Sequence, residues 1–121
     1  MSKESYLMNR LKGFVYAAKG AFLLLRTESS IQLQFTLAVV VTIAGFYYEI
    51  SRVEWMIQTL AIGLVMGIEG LNTAIEKLSD FVQPEHDPKI GLIKDISAGA
   101  VMIAAVAASI LGLIIYLPKI F

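Results

Sequence analysis

Residues 53–78 read VEWMIQTLAIGLVMGIEGLNTAIEKL, and this stretch decides the fold. Its body, WMIQTLAIGLVMGI, is an apolar run, and a helix that crosses a bilayer needs roughly 20 mostly apolar residues. The run then turns polar at Glu69, Asn72 and Glu76, with Asp80 following. Glu69 and Glu76 lie seven residues apart, about two helical turns, so they share a face. Asn72 falls between them on that face, and Asp80 extends the row by a further turn.

Working outward, two more segments reach spanning length. One covers 31–48 and contains LAVVVTIAGFYY; the other covers 96–117 and contains AGAVMIAAVAASILGLIIYL. Residues 4–27 form an amphipathic pattern, with Leu7, Leu11, Phe14 and Val15 at helical spacing and Arg10, Lys12 and Lys19 interleaved. A helix lying in the membrane surface is expected there. Residues 49–52 (EISR) are expected as a tight turn. Residues 79–95 are expected as the one sizeable loop, because Pro84 and Pro88 oppose a continuous helix. The fold class is therefore an all-α integral membrane protein, one membrane domain over 1–121.

Composition agrees. The chain is 57% hydrophobic, against about 45–50% for an average soluble domain. It has no cysteine, which excludes disulfides and Cys-based metal sites. Its formal net charge is zero, so bulk charge points to no nucleic-acid partner. The opening MSKESYLMNRLK leads into no short apolar segment, so a cleaved signal peptide is not expected. Lys3, Arg10, Lys12, Lys19, Arg26, Lys77, Lys89 and Lys94 fall on one side of the expected topology, and Arg52 and Lys119 on the other. Basic residues favour the cytoplasmic side, so the N-terminus and the 79–95 loop are expected to be cytoplasmic.

An ionisable residue inside a membrane is costly and marks function by default. Two acids at different depths suit phosphoryl transfer to an embedded alcohol. The outer one, Glu76, can hold Mg²⁺ on a nucleotide. The inner one, Glu69, can act as general base on a lipid hydroxyl. The competing reading is that these acids only fasten helices or lie at the interface. No P-loop and no kinase-type glycine loop occurs, so a nucleotide site needs other groups. Lys94–Asp95 and Glu85–His86–Asp87 are available, although such residues are more often plain surface. Gln32 and Gln34 stand where polar groups can face a lipid headgroup. Gly63 and Gly67, and Ala100, Ala104, Ala108 and Gly112, form small-residue faces that let helices approach. Three spans enclose ATP and a lipid poorly, so a homo-oligomer with shared sites is expected.

The stretch Glu69-Gly-Leu-Asn-Thr-Ala-Ile-Glu76, then Asp80, Lys94-Asp95 and Ala98-Gly-Ala-Val101, resembles the signature of the prokaryotic diacylglycerol kinase family, which includes undecaprenol kinases. The resemblance runs over nearly the whole chain. It implies a homotrimer of three-span subunits with a surface helix, in the inner membrane of a bacterium. It implies transfer of the γ-phosphate of ATP to a lipid alcohol, with Mg²⁺. By the same resemblance Glu69 is the catalytic base, Glu28 and Glu76 bind the metal, and Asn72 supports them. Glu28, Glu76, Lys94, Asp95, Glu85, His86, Asp87 and Tyr16 would contact the nucleotide. Lys19 and Gln32 would lie by the substrate. The SSIQLQ that follows Glu28 departs from the charge that family members often carry there. Diacylglycerol is the first acceptor expected and undecaprenol the alternative. A proton- or ion-coupled membrane protein and a non-catalytic packing subunit are the rivals from other classes.

Overall fold

A computed structural model describes residues 2–121. Four helices follow in order: α1 (Lys3–Thr27), α2 (Ser29–Tyr47), α3 (Arg52–Val82) and α4 (Pro88–Ile120). No strand occurs among the described residues. Helices α2, α3 and α4 are each long and apolar enough to cross a membrane.

Local chemistry explains the boundaries. Ser2 caps α1 by accepting from the Ser5 backbone N–H. Glu28 alone separates α1 from α2, in an extended conformation. After α2 the chain reverses with Glu49 at a positive φ of 51°. The Ile50 N–H returns to Gly45 O and the Glu49 N–H to Phe46 O, a Schellman closure. Ser51 then opens α3 with a reciprocal capping box to Glu54. Asp87 caps α4, with Pro88 in its first turn.

The connection expected over 79–95 is far shorter. Only 83–87 lies outside helices. The expected spans 53–78 and 96–117 are the apolar middles of longer helices. At 1.5 Å per residue α3 and α4 are about 46 and 50 Å long, more than the roughly 30 Å apolar core of a bilayer. Their surplus carries Asp80 and Lys94 beyond the apolar middle. Pro88 does not interrupt a helix; it starts one.

Helices α3 and α4 form the main antiparallel pair, and α2 packs on α3. One end is tied by Lys119–Glu54 at 3.0 Å, the other by Lys94–Asp80. Near the first end Gln58 bridges all three spans. Its Nε2 donates to Val41 O at 3.2 Å and its Oε1 accepts from Tyr116 Oη at 2.5 Å. Gly45 leaves room for Trp55, since a Cβ there would stand 2.6 Å from the indole. Helix α1 buries no residue; it reaches the bundle only near its C-terminal end, through Leu24 and Leu25.

The interior is inverted relative to a water-soluble core. The buried hydrophobic side chains are Ile31, Ile50, Ala104 and Ile115, whereas Gln58, Glu69, Asn72, Thr73, Ser79 and Ser97 are buried polar ones. Large apolar residues cover the outside, including Leu60, Leu71, Met102 and Ile103. Polar groups inside and apolar groups outside are what a hydrocarbon solvent requires.

Candidate active site

The polar row of α3 has a buried inner half and an exposed outer half. Glu69 and Asn72 are each 7% exposed, and Thr73 is buried beside them. Thr73 donates back to Glu69 O at 3.1 Å, so its hydroxyl is satisfied within the helix. Asn72 donates from Nδ2 to Glu76 Oε1 at 3.0 Å, while its Oδ1 is buried without a donor. Glu76 is exposed, one turn nearer the helix end. The two acids thus differ in setting along one face, as their spacing predicts. Leu24 of α1 closes on α3 beside Glu69: a Cβ on Gly70 would meet Leu24 Cδ1 at 3.0 Å.

Two ion pairs surround the outer end of the row. Lys94 of α4 pairs with Asp80 of α3. Lys77 of α3 pairs with Glu28 at 3.5 Å. The α1–α2 joint therefore meets α3 at the level of Lys77. Asp95 is exposed on α4, and Glu85 and His86 are exposed in the 83–87 connection.

Other expected residues have duties elsewhere. Gln32 Nε2 donates to Leu25 O and Arg26 O, both at 3.1 Å, which satisfies two end carbonyls of α1. Its amide is thereby held at the joint. Asp87 Oδ1 accepts from the backbone N–H of Lys89 at 2.8 Å and of Ile90 at 3.4 Å, so it serves as an N-cap. Tyr16 is exposed, with the Lys19 ammonium 5.9 Å from its ring centre. Tyr16 precedes Leu24 by eight residues, about 12 Å along α1, and α1 reaches the bundle only near its end. Within one chain, then, the structure gathers Glu69, Asn72 and Glu76, and brings Glu28 and Lys94 to α3. Tyr16 and Lys19 stand apart.

Among the described residues no three His, Cys, Asp or Glu side chains form a metal-binding group. That still fits Mg²⁺ on a nucleotide, which takes one or two carboxylates and completes its shell with phosphate oxygens and water. Glu28 and Glu76 offer hard oxygen donors of this type. The buried, donorless Asn72 Oδ1 supplies another oxygen beside Glu76.

Residue spacing does not single out Lys77, Thr73, Ser97 or the Gln58–Tyr116 pair. Ser79 carries a periodic signal, lying seven residues after Asn72 on the same face. The others become visible only once the helices are in register.

A three-span helical protein with an acid buried in its second span is a polytopic membrane protein with a candidate site at the bilayer. The profile of the prokaryotic diacylglycerol kinase family matches residues 15–116. The chain is 44% identical over 113 residues to the undecaprenol kinase of Bacillus subtilis (strain 168), covering 93% of this chain and 92% of that one. It is 32% identical over 111 residues to the diacylglycerol kinase of a Synechocystis species, covering 91% of this chain and 63% of that one. The chain belongs to the prokaryotic diacylglycerol kinase family and is a membrane-embedded lipid kinase.

Proposed function

We propose that the chain is an ATP- and Mg²⁺-dependent undecaprenol kinase. The similarity to the Bacillus subtilis undecaprenol kinase, which runs nearly end to end over both chains, carries this reading. It favours a polyprenol over diacylglycerol, the acceptor expected first from the sequence. The 32% relationship to a diacylglycerol kinase keeps that lipid as the comparison substrate. The rival ion-coupled reading assigns no job to the second acid, Glu76.

The proposed chemistry uses the burial of Glu69. Its carboxylate takes the proton of the lipid hydroxyl as that oxygen bonds to the γ-phosphorus. The bond from the γ-phosphorus to the β,γ-bridging oxygen breaks, and ADP leaves. Mg²⁺, when bound, neutralises phosphate charge during transfer. Glu76 and Glu28 would hold it, and Asn72 fixes the Glu76 carboxylate through the 3.0 Å hydrogen bond. Lys94 and Asp95, with Glu85 and His86, would face the nucleotide. Leu24, packed at Gly70, helps to keep water from Glu69.

We further propose a homotrimer in a bacterial inner membrane, with α1 on the membrane surface and the 83–87 end cytoplasmic. The separation of Tyr16 and Lys19 from the α3 row within one chain supports sites completed by a neighbouring subunit. The exposed Gly63 and Gly67 offer a face for close helix approach.

The deciding experiment gives the purified protein labelled ATP with undecaprenol and with diacylglycerol in matched mixed micelles. Faster labelling of undecaprenol is expected. Preference for diacylglycerol overturns the acceptor, and labelling of neither overturns the kinase chemistry.

A further inference from the structure

We propose that Lys77 is a resident counter-ion of Glu28, holding the place that a divalent cation takes when the metal–nucleotide binds. This rests on the reading that Glu28 is a metal ligand.

The first observation is what Glu28 does not do. It occupies the N-cap position of α2, where a short Asp, Asn or Ser side chain ordinarily accepts from a free backbone N–H. Its side chain makes no such capping bond. The carboxylate instead meets Lys77 Nζ at 3.5 Å, across the gap to α3. The partner of the Glu28 carboxylate therefore lies on another helix.

The second observation concerns the neighbours. Lys77 directly follows Glu76 in α3, about 100° around the helix. The two acids assigned to the metal are therefore engaged differently. Glu76 is fixed by the neutral Asn72 amide, and Glu28 is balanced by an ammonium. Lys94 is taken by Asp80. Lys77 is thus the cation placed against Glu28.

The third observation is that the pair is easily exchanged. The Lys77 side chain is 70% exposed. An ion pair in that setting contributes little, because water and salt screen it and a long side chain must be ordered. A strong tie would block the site, whereas this one offsets charge and yields to a harder cation. The ammonium stem is flexible enough to swing away without moving the backbone of α3.

The alternative is that Lys77 only fastens the α1–α2 joint to α3. Binding of Mn²⁺ at a saturating level of the non-hydrolysable β,γ-imido analogue of ATP, read by electron paramagnetic resonance, separates the two. No turnover is involved. Lys77→Gln is expected to bind Mn²⁺ about two- to fivefold more tightly, the scale of an exposed ion pair. The gain should shrink as salt rises. Lys77→Arg, which keeps the charge, is expected to match the unchanged protein. Glu28→Gln is expected to lose most Mn²⁺ binding. If Glu28→Gln loses it but Lys77→Gln binds Mn²⁺ equally or less well, the counter-ion role is overturned and the ligand role of Glu28 stands. If Glu28→Gln binds Mn²⁺ normally, both fall. Elution on gel filtration in detergent identifies any variant that fails to assemble; Lys77→Ala then replaces Lys77→Gln and is read by the same rule.

Discussion

Asn72 and Glu76 are joined across one turn of α3 by a hydrogen bond of 3.0 Å, and the remaining oxygen of Asn72 is buried without a donor. The amide therefore fixes one acid while keeping an acceptor unused. Asn72→Ala removes both features. A hydrogen bond to a charged group contributes about 1.5–3 kcal/mol, so the KM for Mg·ATP is expected to rise roughly tenfold or more. Steady-state kinetics at fixed Mg²⁺ measure this. An unchanged KM would mean that Glu76 needs no such support.

Glu69 and Glu76 should fail in different ways. Glu69→Gln is expected to lower kcat by about 10²–10⁴-fold, the contribution of a general base, with nucleotide binding retained. Glu76→Gln is expected to weaken nucleotide binding in the presence of Mg²⁺. Equilibrium binding of a fluorescent ATP analogue, run beside turnover, tests the division. Equal loss of binding in both variants would refute it.

Tyr116→Phe should destabilise the bundle without touching the reaction. Gln58 is buried, and its Oε1 would lose the Tyr116 hydroxyl. A buried polar atom left unpaired costs about 1–3 kcal/mol. The thermal midpoint in detergent should fall while kcat per folded enzyme stays the same. Adding Gln58→Leu should recover part of the loss, because both ends of the contact are then apolar. A further fall in the double variant would mean that Gln58 acts mainly through Val41.

The reversal between α2 and α3 offers a gain and a loss. Glu49 holds a positive φ of 51°, which costs an L-residue roughly 1–2 kcal/mol. Glu49→Gly is expected to raise the thermal midpoint, since the relief exceeds the added unfolded-state entropy. Gly45→Ala is expected to lower it, because the new Cβ would stand 2.6 Å from Trp55 Cη2 and 3.1 Å from Ile50 Cδ1. Overpacking of this type costs about 1–3 kcal/mol. Differential scanning in one detergent checks both signs.

The three spans and the acidic row were legible because a bilayer imposes length and polarity rules that need no partner information. The ends of α3 and α4 were not. A span rule follows apolar side chains and stops near Lys77 and Ile96, yet backbone hydrogen bonds carry the helix through Ser79, Asp80 and Lys94 regardless of polarity. Pro84 and Pro88 look like two breaks of one loop, but Pro88 follows the Asp87 cap and begins α4. The partnerships of Lys77 with Glu28 and of Tyr116 with Gln58 join residues far apart in sequence, and only the helix register discloses them. Gln32 and Asp87 read as ligand contacts by their polarity, and the register of the helices adds the backbone groups to which their side chains bond. The proposed acceptor rests on the contrast between 44% and 32% identity rather than on any single side chain.

Glu28 is the whole of the connection between α1 and α2. With no spacer to absorb a change of angle, and with Gln32 strapped to the last carbonyls of α1, the joint behaves as a stiff lever. A tilt of α1 turns the backbone from which the Glu28 carboxylate projects. With α1 on the membrane surface, as proposed, bilayer thickness and lateral pressure would bear on that helix and, through the joint, on the position of that one carboxylate.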